Sequence, residues 1–405
     1  MKRTGDQFWV KQINKGIVLN TIKRLSPISR AQVSEQTGLN KGTVSNLVSE
    51  LIQSQLVTEI GQGESSGGRK PVMLLFNQQA GYAIGVDLGV HAVLAVLTDL
   101  NGNKVQELTL VPAEKSDEAL LHTLIQSIRS LIEQAPKSPY GIVGIGIGVP
   151  GIVDEAGTII DAPNLGWKDV PLKQMISAEF HLHVAVDNEA NAGALGELHF
   201  GAGQQLASLV YLSVSTGIGA GIILNHELYR GASGFSGEVG HMTININGKA
   251  CSCGNQGCWE LYASEKALLE QAHAIPHLHE QLSRVESATE QLELLMHLAE
   301  KNEPDARELF RQIGEYLGVG IISLANAFNP ERIIIGNRMA DADKWLSPSI
   351  LKTVEKRLFS YSHQQQNIVF STLGLHAVAL GAGYFAISHF FEDFQVSAEQ
   401  FATLP

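Results

Sequence analysis

Apolar residues recur at helical spacing near the start of the chain, then in short glycine-punctuated runs at strand spacing through most of the remainder. Over residues 10–25, Ile13, Ile17, Val18, Thr21 and Ile22 fall near one face of an amphipathic helix. Ser29 precedes Arg30-Ala-Gln-Val-Ser-Glu-Gln-Thr and suits the cap of a short second helix, which Gly38 stops. Leu39 follows as an expected buried turn residue. Asn40 opens a third helix whose Val44, Leu47, Val48 and Leu51 face inward, leaving Lys41, Thr43, Ser45 and Asn46 free. Residues 56–60 and 72–76 read as two strands joined by a glycine-rich loop, with Arg69 and Lys70 held extended ahead of Pro71.

The order of helix, tight turn, polar-tipped helix and basic hairpin resembles a winged helix-turn-helix, in which the second helix of the pair reaches base edges in the major groove. Arg30, Asn40, Lys41, Thr43, Ser45 and Asn46 are the candidate DNA contacts of the helices. Arg69 and Lys70 of the wing are candidates for phosphates or the minor groove. The competing reading is a protein-interaction module with a solvated hairpin. Charge separates the two halves of the chain: residues 1–76 carry ten Lys and Arg against five Asp and Glu, a net +5, whereas the rest carries nineteen against thirty-six, a net −17. A basic head on an acidic body favours a polyanion as the partner of the head.

From Gly81 the pattern is strand, glycine turn, strand, with a helical stretch near 117–134 and a buried glycine-rich strand ending at Val149-Pro-Gly. The same order recurs from Ser208, with helices over roughly 264–327 and a closing strand at Arg332-Ile-Ile-Ile-Gly. Two α/β lobes facing one another leave a cleft between them. The expected division is a head over 1–76, a first lobe over 77–190, a second over 191–385 and a C-terminal tail over 386–405. A chain of 405 residues with 44% apolar content supports two or three such domains. It has no run of eighteen apolar residues and no apolar core at its N-terminus, so a soluble, cytoplasmic protein without a membrane partner is expected.

All three cysteines, Cys251, Cys253 and Cys258, fall within eight residues, ten residues after His241. Three thiolates and an imidazole make a tetrahedral set for one zinc ion, with Gly254 and Gly257 permitting the turns between them. Unrelated buried thiols are the alternative. A disulfide framework fits poorly, because three is an odd number. Glu238 and Glu260 flank these ligands.

Gly237-Glu-Val-Gly-His241, the cysteine cluster running on to Glu260, Asp187-Asn-Glu-Ala-Asn-Ala-Gly-Ala-Leu-Gly-Glu197 and Thr216-Gly-Ile-Gly219 together resemble the ROK family of repressors and sugar kinases. The resemblance implies an actin-like, sugar-kinase (ribonuclease H-like) fold of two lobes with a zinc-binding loop. The N-terminal head places the chain with the repressor branch, where it is similar to the xylose repressors of Gram-positive bacteria. It carries sugar binding onto Asn164, Asn188, Glu189, Glu238, His241 and Glu260. In this scheme His241 offers one ring nitrogen to zinc and the other to a hydroxyl, while Cys258 fixes the loop presenting Glu260.

Three departures from the kinase pattern argue against catalysis. Asp87-Leu-Gly-Val-His91 stands where kinases carry Asp-x-Gly-Gly-Thr, Glu189 replaces the aspartate base, and Asn337-Arg338 follows Gly336 where kinases continue with glycines. An added methylene moves a base by about a bond length, and a misplacement near 1 Å costs ~10²-fold in rate. The expectation is a non-enzymatic, sugar-responsive repressor, a homodimer or dimer of dimers on palindromic operator DNA, released by D-xylose or a related sugar. The alternative is a ROK kinase phosphorylating a hexose.

Overall fold

The computed structural model describes residues 7–62, 71–114, 116–357 and 367–392. Its N-terminal part comprises α1 (Gln7–Leu25), β1 (Ile28–Ser29), α2 (Arg30–Thr37), α3 (Lys41–Gln53), β2 (Val57–Gln62) and β3 (Val72–Phe76). The strands form an antiparallel sheet in the order β1-β3-β2. Ser29 caps α2 in a capping box: its hydroxyl accepts from Gln32 N, and the Gln32 side chain accepts from Ser29 N at 2.9 Å. Gly38 ends α2 in the left-handed conformation at φ 71°. Val44, Leu47, Val48 and Leu51 are buried as the spacing predicts; Val33 is buried with them, and Leu39, expected to be buried, is half-buried against them. One expectation fails: Ile17 is 42% exposed, and Leu19 is buried instead. Because α1 packs against α2, α3 and β3 together, its inward face centres on Val18, Leu19 and Ile22, and Ile17 lies about 100° round from Val18.

The apolar cluster of this part runs on beyond Phe76, taking in Ala80, Ala83, Leu100, Ile387 and Phe391. Tyr140 donates its hydroxyl to Ser54 O at 2.9 Å across the same junction. Head and body therefore share one core.

The next sheet contains β4 (Tyr82–Leu88), β5 (Val93–Asp99) and β6 (Lys104–Leu110), followed by α4 (Asp117–Gln134) and β7 (Ile142–Val149). A small sheet of β8 (Ile152–Val153), β9 (Ile159–Ala162) and β10 (Trp167–Val170) precedes α5 (Leu172–Phe180) and β11 (Val184–Asn188). The large sheet has the order β11-β7-β4-β5-β6, with β4, β5 and β6 antiparallel and β7 and β11 parallel to β4. After α6 (Glu189–Phe200) come β12 (Leu209–Val214), β13 (Ile218–Leu224) and β14 (Glu227–Leu228). Then follow α7 (Glu260–Ala263), α8 (Glu265–His273), α9 (Pro276–Leu282), α10 (Ala288–Glu300) and α11 (Pro304–Phe328). The chain closes with β15 (Arg332–Gly336), α12 (Asp343–Arg357), β16 (Ile368–Phe370) and α13 (His376–Glu392). The second large sheet is ordered β14-β13-β12-β15-β16. Numbered within each sheet, both read third, second, first, fourth, fifth, with the first three antiparallel: one topology, used twice.

Helices α6 and α13 lie against each other between the sheets, α13 on β4 and β7, α6 on β12 and β13. Glycines permit this: a Cβ at Gly381 of α13 would stand 1.7 Å from Ala192 O of α6, and one at Gly146 of β7 would stand 1.8 Å from Ala382 O. Residue 190 falls in the first turn of α6 and residue 385 within α13, so a continuous helix passes through each position. Among the described residues no helix is long and apolar enough to cross a membrane.

Candidate functional site

The C-terminal ends of β4, β11, β12 and β15 meet at one cleft, where Asp87, Glu189, Ser213 and Asn337 act on one another. At the end of β11, Asn188 caps α6: its Oδ1 accepts from Ala190 N at 2.7 Å and its Nδ2 donates to Gly151 O at 2.9 Å. Glu189 is the first residue of α6, where its Oε1 accepts from Ser213 Oγ of β12 at 2.9 Å. Ser213 Oγ accepts in turn from Asn337 Nδ2, just past β15, also at 2.9 Å. Burial lifts the Glu189 carboxyl above the ordinary range; the Ser213 hydroxyl opposes this and the Glu238 charge adds to it. Asp87, at the end of β4, is lifted well above its usual value, first by burial and then by Glu189. Among the described residues its Oδ1 is buried without a hydrogen-bond partner.

Asp187 bonds Arg230 Nη2 at 2.5 Å and accepts from Asn191 Nδ2 at 2.9 Å. Arg230 follows β14, so the ion pair ties the second lobe to the first. Beyond it, a Cβ at Gly237 (φ 98°) would meet Ala220 O at 1.9 Å, and this close approach seats the loop carrying Glu238 on β13. Glu238 keeps part of its surface open, yet desolvation in the cleft lifts its carboxyl, with His241 opposing and Glu260 reinforcing the rise.

The cysteine loop folds back on itself through paired backbone at Thr243 and Cys258 and at Ala250 and Gln256. His241 Nδ1 lies 3.7 Å from Cys251 Sγ, Cys253 Sγ lies 3.7 Å from Cys258 Sγ, and all four ligand atoms fall within 4.8 Å of one another. Metal–sulfur bonds of about 2.3 Å in a tetrahedron give sulfur–sulfur edges of about 3.8 Å, so these side chains fit one soft divalent ion. Without a cation, burial and the neighbouring thiols push Cys258 up to about 12. Glu260 Oε1 stands 3.4 Å from Cys251 Sγ and 3.5 Å from His241 Nδ1. Between Cys258 and Glu260, Trp259 is fully buried and donates Nε1–H to Tyr316 O of α11 at 2.8 Å, which anchors both neighbours.

Glu189, Glu238, His241 and Glu260 thus converge, with Asn188 adjacent. Asn164 is exposed at the β9–β10 turn, and among the described residues no hydrogen bond, ion pair or charge effect ties it to the others. Several carboxyls lifted by burial beside amide and hydroxyl groups supply donors as well as acceptors, which suits a ligand rich in hydroxyls.

At the N-terminal end of α3, Asn40 Oδ1 is committed to Thr43 N at 2.8 Å, while Lys41, Ser45 and Asn46 are exposed and Thr43 is half-buried. Arg30 Nη1 pairs with Glu59 Oε1 of β2 at 2.6 Å. Arg69 and Lys70 lie outside the described residues.

Residues 83–389 match the model of the ROK family. The chain belongs to the ROK family. The xylose repressor of Bacillus subtilis (strain 168) is 44% identical to this ROK protein over 388 residues, covering 96% of this chain and 98% of that one. Among solved structures, a ROK family transcriptional regulator described as a homolog of the E. coli MLC protein superposes with a TM-score of 0.77 at 30% identity, over 95% of this chain and 97% of its own. A ROK family glucokinase from Streptomyces griseus, in complex with glucose and AMPPNP, gives 0.67 at 29% identity over 76% of this chain and all of its own.

Sequence reasoning missed four residues that shape the cleft of this ROK protein: Asp87 as a buried acid, Ser213, Asn337 and Trp259. The position of Asn337 after Gly336 carried a signal, but its partner, 124 residues earlier, carried none.

Proposed function

We propose that this ROK protein is a cytoplasmic, sugar-responsive transcriptional repressor, which binds operator DNA of xylose-utilisation genes and leaves it when D-xylose or a related sugar enters the cleft. The observation that carries the reading is the continuous core from α1 to α13, which joins a polar-tipped helix to a carboxylate-lined cleft in one packed body. The name and near-complete coverage of the Bacillus subtilis relative support it.

In this reading α1–α3 with β2 and β3 form a winged helix-turn-helix. Lys41, Thr43, Ser45 and Asn46 meet the major groove, Asn40 and Arg30 fix the helices that present them, and Arg69 and Lys70 reach phosphates or the minor groove. Asn188, Glu189, Glu238, His241 and Glu260 hold sugar hydroxyls, and Asn164 joins them when the cleft closes. His241 Nδ1, Cys251, Cys253 and Cys258 hold one structural zinc, leaving His241 Nε2 for the ligand. Bound there, zinc would supply a crosslink that stiffens the loop carrying Glu260. Val90, His91, Glu189, Asn337 and Arg338 depart from the kinase pattern, so binding without phosphoryl transfer is proposed.

A homodimer or dimer of dimers would read a palindromic operator. Sugar releases the operator only by binding the DNA-incompetent arrangement more tightly, and linkage requires the operator to weaken sugar binding by the same factor. Anisotropy of a labelled operator complex, titrated with a panel of pentoses and hexoses, tests the proposal. Release by D-xylose at concentrations that leave unrelated sugars inert is the expected result; a complex that persists at saturating xylose contradicts the xylose reading. ADP formation with the same panel contradicts the non-enzymatic one.

A further inference from the structure

Asn337 combines a costly backbone with a committed side chain. Its φ of 64° and ψ of −159° fall in a region that glycine occupies almost alone, and other residues there cost on the order of 1–3 kcal/mol. The chain before it leaves no room to relax: a Cβ at Gly336 would stand 2.2 Å from the Tyr211 ring. The chain after it is held as well, since Arg338 Nη2 pairs with Glu265 Oε1 at 3.0 Å, and Glu265 N donates to Ser215 O at 2.9 Å. Glycine would fit this turn with less strain.

The amide accounts for the exception. Asn337 is only 7% exposed; Oδ1 accepts from Arg338 N at 2.8 Å and Nδ2 donates to Ser213 Oγ at 2.9 Å. A hydroxyl has one proton to give. With Asn337 occupying a lone pair of Ser213, that proton is directed onto Glu189 Oε1, 2.9 Å away. The chain Asn337, Ser213, Glu189 runs from the end of β15 through β12 to the first residue of α6. It crosses from the wall whose glycines have been replaced to the wall assigned to sugar.

We infer that Asn337 is a positioning residue for the sugar response: through Ser213 it fixes the rotamer of Glu189, so the wall that kinases use for nucleotide here braces the sugar carboxyl. The inference rests on Glu189 being a sugar ligand. Burial and then the Glu238 charge push Glu189 toward its protonated form, and Glu189 in turn acts on Asp87. Without an oriented donor from Ser213, their effect goes unopposed.

The test is calorimetric titration of the full-length, zinc-loaded protein with D-xylose, for wild type, Asn337→Gly, Ser213→Ala and the double variant, with thermal unfolding of each. Asn337→Gly relieves the backbone, so a purely structural role predicts an unchanged or higher Tm and unchanged sugar affinity. Positioning predicts an unchanged or higher Tm with affinity about tenfold weaker, the scale of one hydrogen bond to a charged group. Ser213→Ala should weaken binding by a similar factor. The double variant should be no worse than either single one, because both act through Glu189. The pH at which affinity falls on acidification should also move upward in both single variants, since a carboxylate that loses a donor protonates more readily. Should Asn337→Gly fold poorly, Asn337→Asp, which keeps the shape but removes the donor, takes its place. Affinity within twofold of wild type, or additive losses in the double variant, overturns the inference while leaving the sugar site standing. If wild type binds no sugar on the panel, the site assignment falls and the inference with it.

Discussion

The ammonium of Lys23, in the first helix of the chain, lies 4.6 Å from the centroid of the Phe391 ring in the last. Burial at this joint lowers Lys23 to about 8 from an ordinary 10.5, with Asp99 opposing the shift. Between those values the unfolded chain holds a proton that the folded chain has released, so the Lys23 contribution to stability rises with pH across that window. Below pH 8 the buried charge costs most. Lys23→Met should therefore raise Tm at pH 7, with a margin over wild type that narrows as pH passes 8. Thermal unfolding of both proteins at pH 7, 8 and 9 checks this; a pH-independent margin would contradict it.

The contact between α6 and α13 sets a second expectation. A Cβ at Gly381 would meet Ala192 O at 1.7 Å and Gly196 N at 2.6 Å, both backbone atoms of a helix that is itself wedged against a sheet. Gly381→Ala should cost about 3 kcal/mol. Because α13 touches both the head core and the cleft helix, operator binding and sugar binding should be lost together on denaturant titration, rather than one before the other.

The cysteine loop gives a third. Cys258→Ser removes a proposed ligand whose neighbour, Trp259, anchors the start of α7. Metal content, read by elemental analysis, should fall from about one zinc per chain to a small fraction. Chelator should lower the unfolding temperature of wild type and leave the variant unmoved. Equal metal content in both proteins removes the assignment of these ligands.

Glu189→Ala and Glu260→Ala address the response itself. Each should leave operator binding without sugar near wild type while raising the sugar concentration for half-release by about a hundredfold. The two carboxyls open different helices, Glu189 α6 and Glu260 α7. Normal release by both variants would remove the sugar-site assignment.

Much of the fold was legible because its signals are local. Ser29, Gly38 and Asn40 punctuate the N-terminal helices as their chemistry predicts, and glycine-broken apolar runs place β2, β3, β7, β12 and β15 within a residue or two, whereas β1, β6, β8 to β11, β14 and β16 left no such signal. The grouping of His241, Cys251, Cys253 and Cys258 was legible because they lie close in sequence. Ile17 misled because an amphipathic stripe gives a face but not the direction in which three neighbours will press on it. The bonds of Asn337 with Ser213 and of Arg230 with Asp187 were hidden for a different reason. Each spans dozens of residues and is made by the packing of sheets, which no short window of sequence contains.

Phe391 also bears on how the molecule comes to be. The core of the N-terminal helices is completed by Ile387 and Phe391 of α13, so a ribosome must reach α13 before the joint between head and body can close. A prematurely terminated chain that lacks α13 keeps every candidate DNA contact in its sequence yet has no completed platform to hold them. In a cell, copies that include α13 would hold the operator-binding helices more firmly than copies that stop before it.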